Sequence, residues 1–186
     1  NEKFDVTKKV DFHNKKHFIS GWPYRDPDQF VQRAAWVAHG TQFHDVWFCT
    51  STQKREGTTK KGKPKAQKSH ADALFEKSIF IDIDIKPNDP KHYPTHDGAW
   101  REFSIIRKKL NLPAPSAVID TGGGLHIYWI SKVPLLPHEW HPYAQGLKAI
   151  LLTEGLKFDP TVTADIARIL RVPGTLNYKY DPPRPV

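Results

Sequence analysis

The run Ile79-Phe80-Ile81-Asp82-Ile83-Asp84-Ile85 constrains this chain more than any other stretch. Its alternating, β-branched character predicts a strand in which Ile81, Ile83 and Ile85 face a core. Asp82 and Asp84 then share the opposite face, about 6.5–7 Å apart at their Cα atoms. Two carboxylates held together on a rigid, apolar element are costly unless something cationic sits between them. Paired aspartates suit two hard divalent ions at a separation of about 3.5–4 Å, the arrangement used in phosphoryl and nucleotidyl transfer. The same pattern also describes a half-exposed strand whose polar face carries two Asp, and the motif by itself leaves both readings open.

Two further constellations carry chemistry. In Thr121-Gly122-Gly123-Gly124-Leu125-His126 the glycines let backbone come close to a ligand and present bare N–H groups to an anion, with His126 starting a strand directly afterwards. A glycine-rich hairpin with a packed histidine is the alternative. The loop lacks the Gly-Lys-Ser/Thr ending of a P-loop. The third runs from Asp159 through Asp165, Arg168, Arg171, Pro173-Gly174-Thr175 and Asn177 to Lys179. Its Arg and Lys side chains can neutralise triphosphate charge, and Asp165 can join Asp82 and Asp84 in a three-carboxylate site. A structural ion-pair cluster is the competing reading.

Around these motifs the sequence predicts a helix opening at Asp26-Pro27 with Phe30, Ala34, Val37 and Ala38 on one face, stopped by Gly40, then a buried strand at Val46-Trp47-Phe48-Cys49. Residues 1–20 read as polar and basic, with a short apolar pulse at Phe18-Ile19. Residues 51–69 read as a mobile basic loop, in which Lys60, Lys61, Lys63 and Lys65 are candidates for holding nucleic-acid backbone. Trp100, Phe103, Ile106 and Leu110 mark a second helix, Ala117–Ile119 and Leu125–Ile130 two hairpin strands, and Trp140, Tyr143, Leu147, Ile150 and Leu151 a third helix ended by Gly155. The order suggests an α+β fold with a largely antiparallel sheet. An apolar share of 38% in 186 residues excludes global disorder, and one cysteine excludes both an internal disulfide framework and a Cys-based zinc site. No apolar run reaches the length of a membrane span, so a soluble, cytoplasmic protein is expected. A net charge of +8 points to a polyanionic partner, with nucleic acid ahead of membrane.

Taken in order, Asp82-Ile-Asp84, Gly-Gly-Gly-Leu-His126 and Asp165…Arg168-Ile-Leu-Arg171-Val-Pro-Gly-Thr-Leu-Asn177-Tyr-Lys179 resemble the archaeo-eukaryotic primase superfamily. The likeness is closest to the primase–polymerases of phages, plasmids and CRISPR-associated genes, and spans about residues 43–180. It implies an RRM-like catalytic sheet over 79–180 beside a smaller N-terminal α/β unit over 1–78. It implies further that Asp82, Asp84 and Asp165 hold two Mg²⁺ or Mn²⁺ ions, that His126 holds the phosphates of an incoming NTP or dNTP with Gly122, Gly123 and Gly124 beside it, and that Arg168, Arg171, Asn177 and Lys179 lie near the nucleotide. Many members carry Ser at the position of Gly124, leaving a backbone N–H as the donor available here.

The expected activity is template-directed joining of a primer 3′-hydroxyl to an incoming nucleotide on single-stranded DNA. A non-catalytic single-stranded nucleic-acid-binding module is the alternative, and three intact carboxylate positions weigh against it. A rolling-circle nickase ranks last, because His126-Ile-Tyr128 breaks the His-hydrophobic-His metal pair it needs. Residues 181–186 read as the start of a linker, toward a C-terminal helicase or accessory domain. Only one phosphate-binding constellation is visible, so residues 1–186 are expected to extend primers but to start them poorly.

Overall fold

The computed structural model describes residues 3–10, 17–39, 44–54, 57–58, 60–62, 64–65 and 68–186. In chain order its elements are β1 (Lys3–Val10), β2 (His17–Tyr24), α1 (Pro27–Ala38), β3 (His44–Cys49), β4 (Thr52–Gln53), β5 (Gly57–Thr58), β6 (Pro64–Lys65), β7 (Ala73–Asp84), α2 (His96–Lys109), β8 (Ala117–Asp120), β9 (Gly124–Leu135), α3 (Pro137–Thr153), α4 (Pro160–Thr163), β10 (Ile169–Arg171), β11 (Leu176–Asn177) and β12 (Arg184–Pro185). They divide into two units. Unit 1 comprises 1–76 with 166–186, and unit 2 comprises 77–165. The fold is α+β, and its strand ladders are antiparallel.

Unit 1 is built on a sheet of order β10-β3-β1-β2. α1 starts as the sequence predicts: the Asp26 carboxylate accepts from the Asp28 N–H at 2.9 Å, and Pro27 follows it. Phe30, Ala34 and Val37 are buried against Val46, while Gly40 lies outside the described residues. Within the stretch that reads as polar and basic, Lys3–Val10 and His17–Tyr24 pair as β1 and β2. One expectation is corrected. The 51–69 stretch is not a plain loop, since β4 pairs with the start of β7 and β5 pairs with β6. Within residues 181–186, β12 pairs with β11, and the Val186 N–H donates to Thr175 O at 2.9 Å. With the returning segment, unit 1 holds the residues from Ile166 onward that the sequence assigns to the catalytic sheet.

A buried polar knot ties that return in place. Ser51 Oγ donates to Ile166 O and accepts from Gln53 Nε2, and Lys68 Nζ donates to Ala167 O at 2.8 Å. Cys49 sits in the same knot, where burial pushes its thiol up and the Ser51 hydrogen bond pulls it back in part, so it is a poor nucleophile.

Unit 2 has the order β7-β9-β8, with α2 between β7 and β8 and α3 after β9, the β-α-β-β-α succession of an RRM-like sheet. The Ile85 N–H donates to Gly123 O at 2.9 Å, so the end of β7 meets the start of β9 and the two run antiparallel. Ile81 and Ile83 are fully buried with Leu125 and Ile127 of β9, under Ala99, Phe103 and Ile106 of α2 and Leu151 of α3. The inward stripes differ in part from the predicted ones, and Ile150 of α3 is among the exposed side chains. Ala99 rather than Trp100 faces the core of α2, and Tyr143 of α3 points outward at 64% exposure. Trp140 is fully buried, its indole N–H donating to Ser78 O at 2.8 Å. Among the described residues no helix is long and apolar enough to cross a membrane.

Candidate nucleotide-transfer site

Alternation along β7 sends Phe80, Asp82 and Asp84 to the face opposite the isoleucine core, and alternation along β9 sends His126 and Tyr128 to that face beside them. His126 Nε2 lies 3.6 Å from Asp82 Oδ1, with both side chains largely shielded from water. His126 Nδ1 lies 3.4 Å from the Tyr128 hydroxyl, and the two rings meet edge-on. Tyr128, Phe80 and Trp140 form an aromatic wall, with Phe80 about 6 Å from each of the other two. Tyr128 is absent from the predicted site, although its period-two spacing from His126 carries the signal for it.

Asp84 is more exposed and has a lysine beside it. Its Oδ2 lies 2.8 Å from Lys86 Nζ and 3.7 Å from His92 Nε2. His92 Nδ1 in turn lies 2.8 Å from Asp89, whose carboxyl is held below its usual range first by the Lys91 backbone N–H. The turn after β7 thus supplies positive charge to the outer carboxylate, a feature that the Pro-, Asn- and Asp-rich composition of the turn conceals.

The glycine loop is tighter than a bare amide cradle. The Gly122 N–H is taken by Asp120 Oδ1 at 2.8 Å, and the same carboxylate oxygen lies 3.2 Å from His96 Nε2. Gly122 has φ +73°, the left-handed region that glycine adopts freely. Gly124 packs directly on β7: a Cβ there would fall on the Ile83 carbonyl oxygen and 3.1 Å from Asp84 Cα. The Gly124 carbonyl accepts from the Thr121 N–H and hydroxyl.

The remaining predicted residues are distributed as follows. Asp165 ends unit 2, just beyond α4, with its N–H donating to Val162 O at 3.1 Å. Among the described residues, no group of three or more His, Cys, Asp or Glu side chains is arranged to hold a metal ion. Arg168, Arg171, Asn177 and Lys179 belong to unit 1. There Arg171 Nε lies 3.7 Å from the buried Asp45 carboxylate, which also accepts from the Tyr178 N–H at 2.9 Å, and the guanidinium sits over Trp47. Burial, followed by the Asp45 charge, pushes the Tyr178 phenol up. Asp45 is absent from the predicted set, although a lone carboxylate in the apolar run of β3 signals a partner for a cation. Asn177 is buried and caps the Lys179 N–H, while the Lys179 side chain is exposed.

Lys60 and Lys61 are exposed at the turn between β5 and β6; Lys63 lies outside the described residues, and Lys65 is in β6. Reversing the charge of Lys60, Lys61 and Lys63 together is expected to weaken nucleic-acid binding alike on all sequences. For every phosphate that is no longer neutralised, the log–log salt dependence should flatten by about one unit, measured by anisotropy across salt concentrations. An unchanged slope removes the hairpin from the interface.

The sheet of unit 2 thus carries Asp82, Asp84 and His126 on the face opposite its isoleucine core, next to the Phe80–Trp140 contact with α3. The fold is similar to the AEP (archaeo-eukaryotic primase) domain of the cyanophage S-2L primase–polymerase, with a TM-score of 0.56 and 20% identity over 94% of this chain and 75% of that one. A replication protein of Clostridium perfringens is 30% identical over 103 residues, which are 55% of this chain and 24% of that protein, so the match spans about a quarter of the relative's length. No family model matches the chain.

Proposed function

We propose that the chain is the catalytic domain of a primase–polymerase of the archaeo-eukaryotic primase superfamily, joining a primer 3′-hydroxyl to an incoming nucleotide on a nucleic-acid template. The observation that carries this reading is the placement of Asp82 beside His126 with Asp84 on the same sheet face, in a fold that matches an AEP domain. The donor chemistry fits hard divalent ions. Mg²⁺ is commonly bound through one or two carboxylates with substrate phosphates and water completing the shell, a role open to Asp82 and Asp84, to which the resemblance adds Asp165. Bound there, Mg²⁺ or Mn²⁺ supplies charge neutralisation at the transferring phosphoryl group.

The chain's own residues do the rest. Asp82 orients the His126 imidazole through Nε2, and Tyr128 flanks it at Nδ1. His126 is assigned to the incoming phosphates, and the aromatic wall keeps water from one side of the site. Gly123 and Gly124 hold the strand start against β7, which fixes the distance between Asp84 and His126. Arg168, Arg171, Asn177 and Lys179 are assigned to the nucleotide by the resemblance, with Arg171 already partnered by Asp45.

Primer extension on a single-stranded DNA template with Mg²⁺ or Mn²⁺ and separate NTP and dNTP sets tests the reading. Extension that depends on template and metal is the expected result, and its absence with every nucleotide set overturns it. His126→Ala should weaken nucleotide binding in Mn²⁺ by about tenfold or more, the scale of one charge-assisted hydrogen bond, with DNA affinity unchanged. An unaltered nucleotide affinity makes His126 a packed core histidine.

A further inference from the structure

The charge excess of the chain is confined to one of its units. Unit 1 has 18 Lys and Arg against 10 Asp and Glu, the whole of the +8, whereas unit 2 has ten of each. The acidic residues assigned to catalysis lie in the neutral unit, and the surface suited to a polyanion lies in the other.

On unit 1, the Arg33 guanidinium of α1 sits between two indoles, 5.2 Å from the Trp22 ring centre and 4.1 Å from that of Trp36. Trp36 is 65% exposed. With one ring face on the guanidinium, this exposure belongs to its other face and edges. A large apolar ring held out in water by a cation, on a unit with excess positive charge, is a stacking surface whose outer step is empty of protein.

We infer that the Trp22–Arg33–Trp36 ladder is a binding site for single-stranded nucleic acid, in which an unpaired base stacks on the exposed face of Trp36. Bases offer flat π-faces only when unpaired, so the ladder suits single strands and not duplex. The polarised Arg33 strengthens the stack, and the charge excess of unit 1 supplies long-range attraction for phosphates. Protein interfaces also favour Trp and Arg, but the concentration of charge in this unit selects a polyanion. The site goes beyond the transfer reading, because it concerns strand capture and not the reacting phosphates.

The test is anisotropy with the full chain and labelled oligonucleotides of about 12 nucleotides, within the site sizes known for single-strand binders, as oligo-dT, oligo-rU and a duplex. Trp36→Ala is expected to lower single-strand affinity by about ten- to a hundredfold on both dT and rU. Trp36→Phe keeps a ring and should stay within a few-fold of the parent. Duplex affinity should not change, and neither should the log–log salt slope, since no cation that neutralises a phosphate is removed. Trp36 is exposed, so the variants are expected to melt with the parent. Parent-like affinity of Trp36→Ala on single strands overturns the inference and leaves the ladder as a protein-binding surface. An equal loss on duplex, or an altered salt slope, also overturns it. Asp82→Ala separates the two readings, because it should lose transfer and keep strand binding. Selective loss on Trp36→Ala in a protein that never extends a primer would leave this inference standing while the catalytic reading fails.

Discussion

Asp82→Ala and Asp84→Ala are each expected to lower single-turnover primer extension on the order of 10³-fold or more, the scale of several kcal/mol of phosphoryl charge stabilisation. The fold should survive both. Asp84 is about two-fifths exposed, and its pairing with Lys86 is of the kind that contributes at most about 1 kcal/mol in water. Like-charge repulsion between the two aspartates suggests by itself that the variants melt at or above the parent temperature. Lys86 beside Asp84 offsets that repulsion, so melting close to the parent is the expected outcome. Extension at near-normal rates by either variant would remove that carboxylate from the reaction, and with it the two-metal assignment.

Gly124→Ser should be the most damaging small substitution in unit 2. Its Cβ would land on the Ile83 carbonyl oxygen, and the neighbour that must yield is backbone rather than a flexible side chain. Overpacking of that kind costs about 3 kcal/mol or more, which lowers the melting temperature by about 6–12 °C for a domain of this size. Extension falls as well, because relief of the clash separates β9 from the strand that carries Asp82 and Asp84. A serine at this position therefore cannot be accommodated without movement of β7 or β9. Gly124→Ser melting with the parent protein would show that β9 has slack against β7.

The contrast between what is legible in the sequence and what is not follows from the range of the interactions. The face assignment of Ile81, Ile83, Asp82 and Asp84 is readable because period-two alternation is set locally. So is the Asp26-Pro27 start of α1, fixed by capping chemistry within three residues. β1 escapes prediction although Phe4, Val6 and Val10 keep its alternation, because Lys8 and Lys9 dilute the apolar count. The β3–β10 pairing joins Cys49 to Ile169, and no local pattern specifies a partner that far along the chain. Gly124 reads as room for a ligand, yet its missing side chain makes room for Ile83 and Asp84. In the site, Asp82 and His126 are identifiable from their motifs, whereas Tyr128, Lys86, His92 and Asp120 owe their places to pairing across strands and turns.

Because β10 completes the sheet of unit 1, the two units do not become available to a growing chain in the order of their first residues. All of 77–165 leaves the ribosome before Ile169 can reach Cys49, so unit 2 can close on itself while β3 still lacks a neighbour. Long-range pairing of this kind is slow, and an unpaired strand edge invites association with other chains. During synthesis the basic unit thus passes through an interval in which β3 is bare on one side, and the last twenty or so residues close it.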